Sequence, residues 1–165
     1  MLTSRFRLVL DTNVLLRGLS KVDTAAGRIL HACDNRSVLL LLNKQILTEY
    51  RMVLGNPVIS RRHSAITPEA VELVLRRLRY ICDYQTNTQV RFQFERDPWD
   101  EKFIELAIAG GATHIVSGDS DLLSLASSHS DAAKRFRQRL PNAKILDPGA
   151  FIREQESLFK RGHDY

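Results

Sequence analysis

Four carboxylates carry the chemistry on offer in this sequence: Asp11, Glu49, Asp100 and Asp119. Asp11 follows the apolar run Phe6-Arg7-Leu8-Val9-Leu10, and Asp119 follows His114-Ile115-Val116-Ser117-Gly118. Glu49 and Asp100 sit on segments of helical periodicity, at or beside the apolar stripe. Acidic groups gathered at one place without basic partners repel one another and need protons or divalent ions to coexist. A site built from them is therefore expected to hold metal.

The surrounding elements decide whether the four can meet. Strands are expected over residues 5–10, 38–42, 114–117 and 144–146, with a short piece near 83–85. Helices are expected over 12–19, 24–34, 44–55, 68–82, 98–110, 120–128 and 148–160. This alternation of short apolar strands and amphipathic helices predicts an α/β fold, a parallel sheet with helices on both faces. Ligands of such sheets bind beyond the carboxyl ends of the strands. Asp11 and Asp119 each stand one step past a strand, although either alone is equally a good helix cap.

Helix geometry ranks the other two. Ile46, Leu47, Tyr50, Val53 and Leu54 form a stripe with Glu49 at its edge, where a carboxylate either enters a cleft or reaches outward. Asp97-Pro98 reads as cap and first helical residue, and Gly110-Gly111 as the stop. Asp100 then falls on the face of Phe103, Ile104, Ala107 and Ile108, where an unpaired acid is costly, whereas Glu101 and Glu105 fall on the polar side. Trp99 is expected as a partly buried packing residue at the edge of that face, with stacking on a base as the alternative. The segment 67–82 is the best-specified helix, with Thr67 as cap and Pro68 at its start. Its opposite face carries Arg76, Arg77 and Arg79, expected to be solvated.

Composition sets bounds. The chain has 165 residues, 44% hydrophobic and 26% charged, which suits one domain able to bury a core. Its longest apolar run, Val38 to Leu42, is far short of the about 20 residues a membrane span needs. The beginning lacks a signal-peptide pattern, so the expected location is the cytoplasm, with no membrane partner. Cys33 and Cys82 fit no metal-binding or redox spacing and are expected as reduced, buried thiols. Net charge is +5, and Arg outnumbers Lys three to one, which is compatible with a polyanionic partner. The segment 127–139 holds Lys134, Arg135, Arg137 and Arg139 and is expected as a mobile basic loop or short helix. The tail after Phe159 is expected to fray.

Four blocks of sequence resemble PIN-domain proteins. They are Leu8 to Leu15, Leu47-Thr48-Glu49-Tyr50, Asp97 to Ala107 (DPWDEKFIELA) and Gly111 to Leu123 (GATHIVSGDSDLL). The chain resembles the bacterial branch described as toxin components of toxin–antitoxin systems. The resemblance spans roughly residues 5–150 and implies one PIN domain over 1–165. It implies a three-layer α/β/α sandwich with a central parallel sheet of four to five strands. The activity it implies is Mg²⁺- or Mn²⁺-dependent endoribonuclease cleavage of RNA, with a small antitoxin protein and a homodimer or higher homo-oligomer as partners.

Carried over residue by residue, the resemblance makes Asp11, Glu49, Asp100 and Asp119 the acidic cluster and Asp121 an accessory acid. Asp11 and Asp100 would be the primary ligands. Thr12, Asn13 and Ser117 become polar neighbours, and His114 a packing or surface residue and not a general base. Hard oxygen donors suit Mg²⁺ or Mn²⁺, and no Cys/His cluster supports zinc. A phosphohydrolase of the haloacid-dehalogenase type also starts from a strand-end Asp but needs a second Asp where Asn13 stands. A housekeeping RNA-processing nuclease and a non-catalytic RNA-binding module of the same fold are the remaining alternatives.

Overall fold

Residues 6–87 and 89–160 are described by a computed structural model of the chain. Five strands form one sheet in which every pairing is parallel: β1 (Arg7–Leu10), β2 (Leu39–Leu42), β3 (Asp83–Tyr84), β4 (His114–Val116) and β5 (Lys144–Leu146), in the order β3-β2-β1-β4-β5. Apart from Arg7 and His114 at their starts, the central strands are apolar because both faces are covered. Leu8, Val9, Leu40, Leu41, Leu42, Ile115 and Val116 are all at most 1% exposed.

The helices are α1 (Thr12–Ser20), α2 (Ala25–Asp34), α3 (Lys44–Leu54), α4 (Pro57–Arg62), α5 (Pro68–Ile81), α6 (Glu101–Gly110), α7 (Ser120–Ser124), α8 (Asp131–Arg139), α9 (Pro148–Glu154) and α10 (Glu156–Lys160). Tyr50 of α3 ties this layer to the sheet, its buried hydroxyl donating to the Leu10 carbonyl at 2.6 Å. Gly111 ends α6 in the left-handed conformation (φ 62°), which glycine adopts without a Cβ penalty. The expected α/β sandwich is the observed fold, with all five strands present.

Several boundaries differ, each for a local reason. α4 is not among the expected helices: the Asn56 side chain accepts the Val58 N–H, and Pro57 occupies the first turn. The helix expected over 98–110 opens with a 3-10 turn, Pro98–Asp100, before α6. The helix expected over 120–128 is α-helical only to Ser124, and the one over 148–160 breaks at Gln155.

The basic stretch is a helix, not a loop. Ser130 caps α8 by accepting the Ala133 N–H, and Ala133 and Phe136 are fully buried. Two of its arginines serve the fold: Arg135 donates to the Gln93 carbonyl at 3.0 Å and Arg137 to the Ser128 carbonyl at 2.9 Å. Arg76, Arg77 and Arg79 are exposed, as expected, and Arg77 also pairs with Asp34 at 2.7 Å. Cys33 is buried, and burial pushes its thiol up to about 12. Cys82, expected to be buried, is only half-buried.

No helix among the described residues is long and apolar enough to cross a membrane. Of the tail expected to fray after Phe159, Lys160 is the last residue of α10; the rest, like the expected strand start at Arg5, lies outside the described residues.

Candidate metal centre

Strand order reverses between β1 and β4: the chain steps outward from β1 through β2 to β3, then returns to the other side of β1. A crevice opens at such a switch point beyond the strand ends. Asp11 leaves β1 there, its N–H bonded to the Val116 carbonyl at 3.0 Å, and Ser117-Gly118-Asp119 leaves β4 beside it. Ser117 is fully buried and joins the two. Its hydroxyl donates to Asp11 Oδ2 at 2.6 Å, and its oxygen accepts the Asp119 N–H at 3.0 Å. Asp119 turns one oxygen to the start of α7, accepting the N–H groups of Asp121 at 2.8 Å and Leu122 at 3.2 Å.

Asp100 arrives from the 3-10 turn ahead of α6. In a 3-10 turn the side chains at i and i+3 eclipse, so Asp97 and Asp100 project together. Oxygen atoms of Asp97, Asp100 and Asp119 all lie within 4.8 Å of one another. Asp100 is 7% exposed, and its Oδ2 is buried with no hydrogen-bond partner. Burial, followed by the charges of Asp97, Asp11 and Asp119, pushes the Asp100 carboxyl up from 3.8 to about 7. Burial also raises Asp11, against the opposing hydrogen bond from Ser117. A buried oxygen without a partner, beside acids held at high mutual cost, fits a cation better than it fits anything the protein itself supplies there. The hard carboxylate donors suit Mg²⁺ or Mn²⁺.

Glu49 is as buried as Asp100, yet its oxygens are engaged. Lys102 Nζ lies 3.0 Å from Oε2, while Trp99 Nε1 donates to Oε1 at 3.3 Å and the Thr12 hydroxyl to the same atom at 3.4 Å. The Lys102 ammonium also sits 3.8 Å from the centre of the Trp99 ring. Trp99 was expected as a packing residue and is instead 61% exposed, one face toward solvent and the other over Lys102. Asp121 pairs with Arg96 at 2.5 Å and is absent from the close carboxylate group, and Asn13 is exposed. His114 packs against Phe6 and Phe151 with ring centroids at 5.7 and 5.1 Å. Burial lowers its pKa, and its Nε2 is buried without a partner.

Two residues of this site escape the sequence reading. Asp97 looked like a cap only, and it is one, accepting the Trp99 N–H at 3.1 Å. The available signal was its three-residue offset from Asp100 in a turn opened by proline. Lys102 has no role in the sequence reading, although it stands three residues after Trp99, the spacing at which helix side chains meet. Glu101 and Glu105 likewise have a task on the face expected to be merely polar. They accept the N–H groups of Phe94 at 2.8 Å and Phe92 at 3.0 Å and so hold the segment before the 3-10 turn. A polar hollow of about 620 Å³ opens beside them, lined among others by Asn43, Lys44, Tyr84 and Gln85.

The family model for the PIN domain matches residues 7–121, well over half of the chain. No curated protein and no solved structure gives a significant match.

Proposed function

This chain belongs to the PIN-domain family, and we propose that it is a divalent-metal-dependent endoribonuclease acting as the toxin of a toxin–antitoxin pair. PIN domains are generally nucleases that act on RNA, so hydrolysis of a phosphodiester is the premise. The observation that supports a working site in this chain is the buried, unpartnered Oδ2 of Asp100 amid Asp97 and Asp119.

On this reading Asp97, Asp100 and Asp119 hold Mg²⁺ or Mn²⁺, with Asp11, outside that close group, completing the shell from the end of β1. When bound, the ion neutralises the scissile phosphate, acidifies the attacking water and stabilises the leaving oxygen. The protein's own contribution is position. Ser117 keeps Asp11 and Asp119 in register, the 3-10 turn presents Asp97 and Asp100 together, and burial of Asp100 limits competing water. Trp99 offers an exposed ring at the rim for an unpaired base, and the polar hollow beside Glu101 has room for adjoining nucleotides. The net charge of +5 favours a polyanion, bound through backbone contacts that weaken with salt.

The test compares cleavage of a mixed RNA panel by the wild type and by Asp11→Asn and Asp100→Asn, with Mn²⁺, Mg²⁺ or a chelator present. Cleavage confined to the metal-loaded wild type supports the nuclease. Wild-type cleavage by both variants, or cleavage undiminished by chelation, rejects this site. A non-catalytic RNA-binding module would bind the panel without cutting it. The toxin role predicts growth arrest on induction in the cytoplasm and rescue by a small protein encoded beside it. Growth unaffected by an active enzyme favours a housekeeping processing nuclease.

A further inference from the structure

Glu49 belongs to the acidic set that the resemblance implies, yet here it meets a cation of the protein's own. Its partner Lys102 is 9% exposed and reaches it from the first turn of α6, two residues after Asp100. The ammonium is held on two sides, by Glu49 Oε2 at 3.0 Å and by the Trp99 ring at 3.8 Å, with Phe103 further off at 5.9 Å. Both Glu49 oxygens are in use, and the Trp99 indole N–H and the Thr12 hydroxyl leave the carboxylate little freedom to rotate.

We infer that this site takes one divalent ion, on the Asp97, Asp100 and Asp119 side, and that Lys102 stands as a fixed monovalent cation where a second ion would otherwise engage Glu49. The inference rests on the metal-dependent reading above and specifies how the charge of its acids is divided. Three observations converge on it. The close carboxylate group comprises Asp97, Asp100 and Asp119, without Glu49. The charge of Glu49 is met within the protein, with the Lys102 ammonium 3.0 Å from its Oε2. A buried ammonium cannot leave its carboxylate without stranding a charge, and a divalent ion on the same carboxylate would face it at close range. Lys102 is thus a positioning residue: it holds Glu49 and Trp99 in one unit and gives the site a cation that needs no loading.

Mn²⁺ titration by calorimetry on the full chain tests this without reference to turnover. The wild type is expected to bind one ion. Lys102→Gln frees Glu49 and is expected to bind two, and the paired variant Lys102→Gln with Glu49→Gln returns to one. Electron paramagnetic resonance adds an independent reading, since two ions so close would show a coupled Mn²⁺ spectrum in the single variant only. Two ions in the wild type overturn the inference and leave the nuclease reading intact. A single ion in Lys102→Gln, or complete loss of the ion in the paired variant, also overturns it, because Glu49 would then be either idle or a ligand. If Lys102→Gln fails to fold, the paired variant, whose removal of both charges strands neither, decides with the wild type. Absence of any bound ion in the wild type rejects the metal-dependent reading itself.

Discussion

Ser117 and Asp11, 106 positions apart, meet at 2.6 Å, with the hydroxyl donating to the carboxylate. The same hydroxyl oxygen accepts the Asp119 N–H. Two acids at the ends of neighbouring parallel strands are therefore set by one buried side chain, which itself touches neither solvent nor, on the present reading, substrate.

Ser117→Ala should cost about 1–3 kcal/mol in urea denaturation, because a buried carboxylate loses a donor and a backbone N–H loses an acceptor. Mn²⁺ affinity should fall roughly 10- to 100-fold, the usual effect of removing a group that orients metal ligands. Unchanged affinity by calorimetry would show that Asp11 needs no such support.

Asp100 links the site to pH. Its folded value, about 7, lies above the ordinary 3.8, so between these limits the folded chain keeps a proton that the unfolded chain releases. Stability of the metal-free protein must then decline as pH rises through that window, and Asp11, also raised, adds in the same direction. Asp100→Asn removes the larger part of this. With chelator present, the variant should melt above the wild type at about pH 8 and lose the difference toward about pH 4. With Mn²⁺ the order should invert, since only the wild type gains from binding. Parallel melting curves across pH would reject the assignment.

Tyr50→Phe isolates the tie between α3 and the sheet. The ring's packing is kept, the hydrogen bond to the Leu10 carbonyl is lost, and the expected cost is about 1–2 kcal/mol by urea denaturation. Because Leu10 precedes Asp11, Mn²⁺ affinity should also weaken; intact affinity would confine the tie to stability.

Gly27→Ala sets helix propensity against space. Alanine gains about 1 kcal/mol in a helix interior. A Cβ at position 27 would overlap the Val22 carbonyl and come within 2.7 Å of its Cα, all backbone and unable to step aside. Overpacking of about 1–3 kcal/mol should win, so the variant should denature at lower urea. A stabilised variant would mean that the α1–α2 turn yields.

Much of this arrangement is legible before any coordinates. Leu8-Val9-Leu10 and Ile115-Val116 announce buried parallel strands, and the acids that follow them must share an edge once strand order brings β1 beside β4. The facing of Asp100 follows from Phe103, Ile104 and Ala107. What periodicity does not convey is which side chains meet across distance. Lys102 and Glu49 are 53 positions apart on different helices, and nothing in either helix alone distinguishes a buried ammonium from a solvated one. The same holds for Arg135 and Arg137, whose hydrogen bonds to backbone carbonyls turn part of the basic cluster inward. Asp97 was hidden by ambiguity of another kind, since a helix cap and a ligand call for the same residue.

Trp99 is the chain's only tryptophan, and it sits with a cation at 3.8 Å from its ring and its indole N–H on Glu49. The tryptophan emission of the whole protein thus originates at the rim of the acidic site. On the proposed function, its intensity and wavelength should register ion and RNA occupancy directly, with no label introduced. The same placement makes emission a poor gauge of global unfolding, because it follows the opening turn before α6. A fluorescence transition that precedes the circular-dichroism transition would then time the release of that turn from the rest of the molecule.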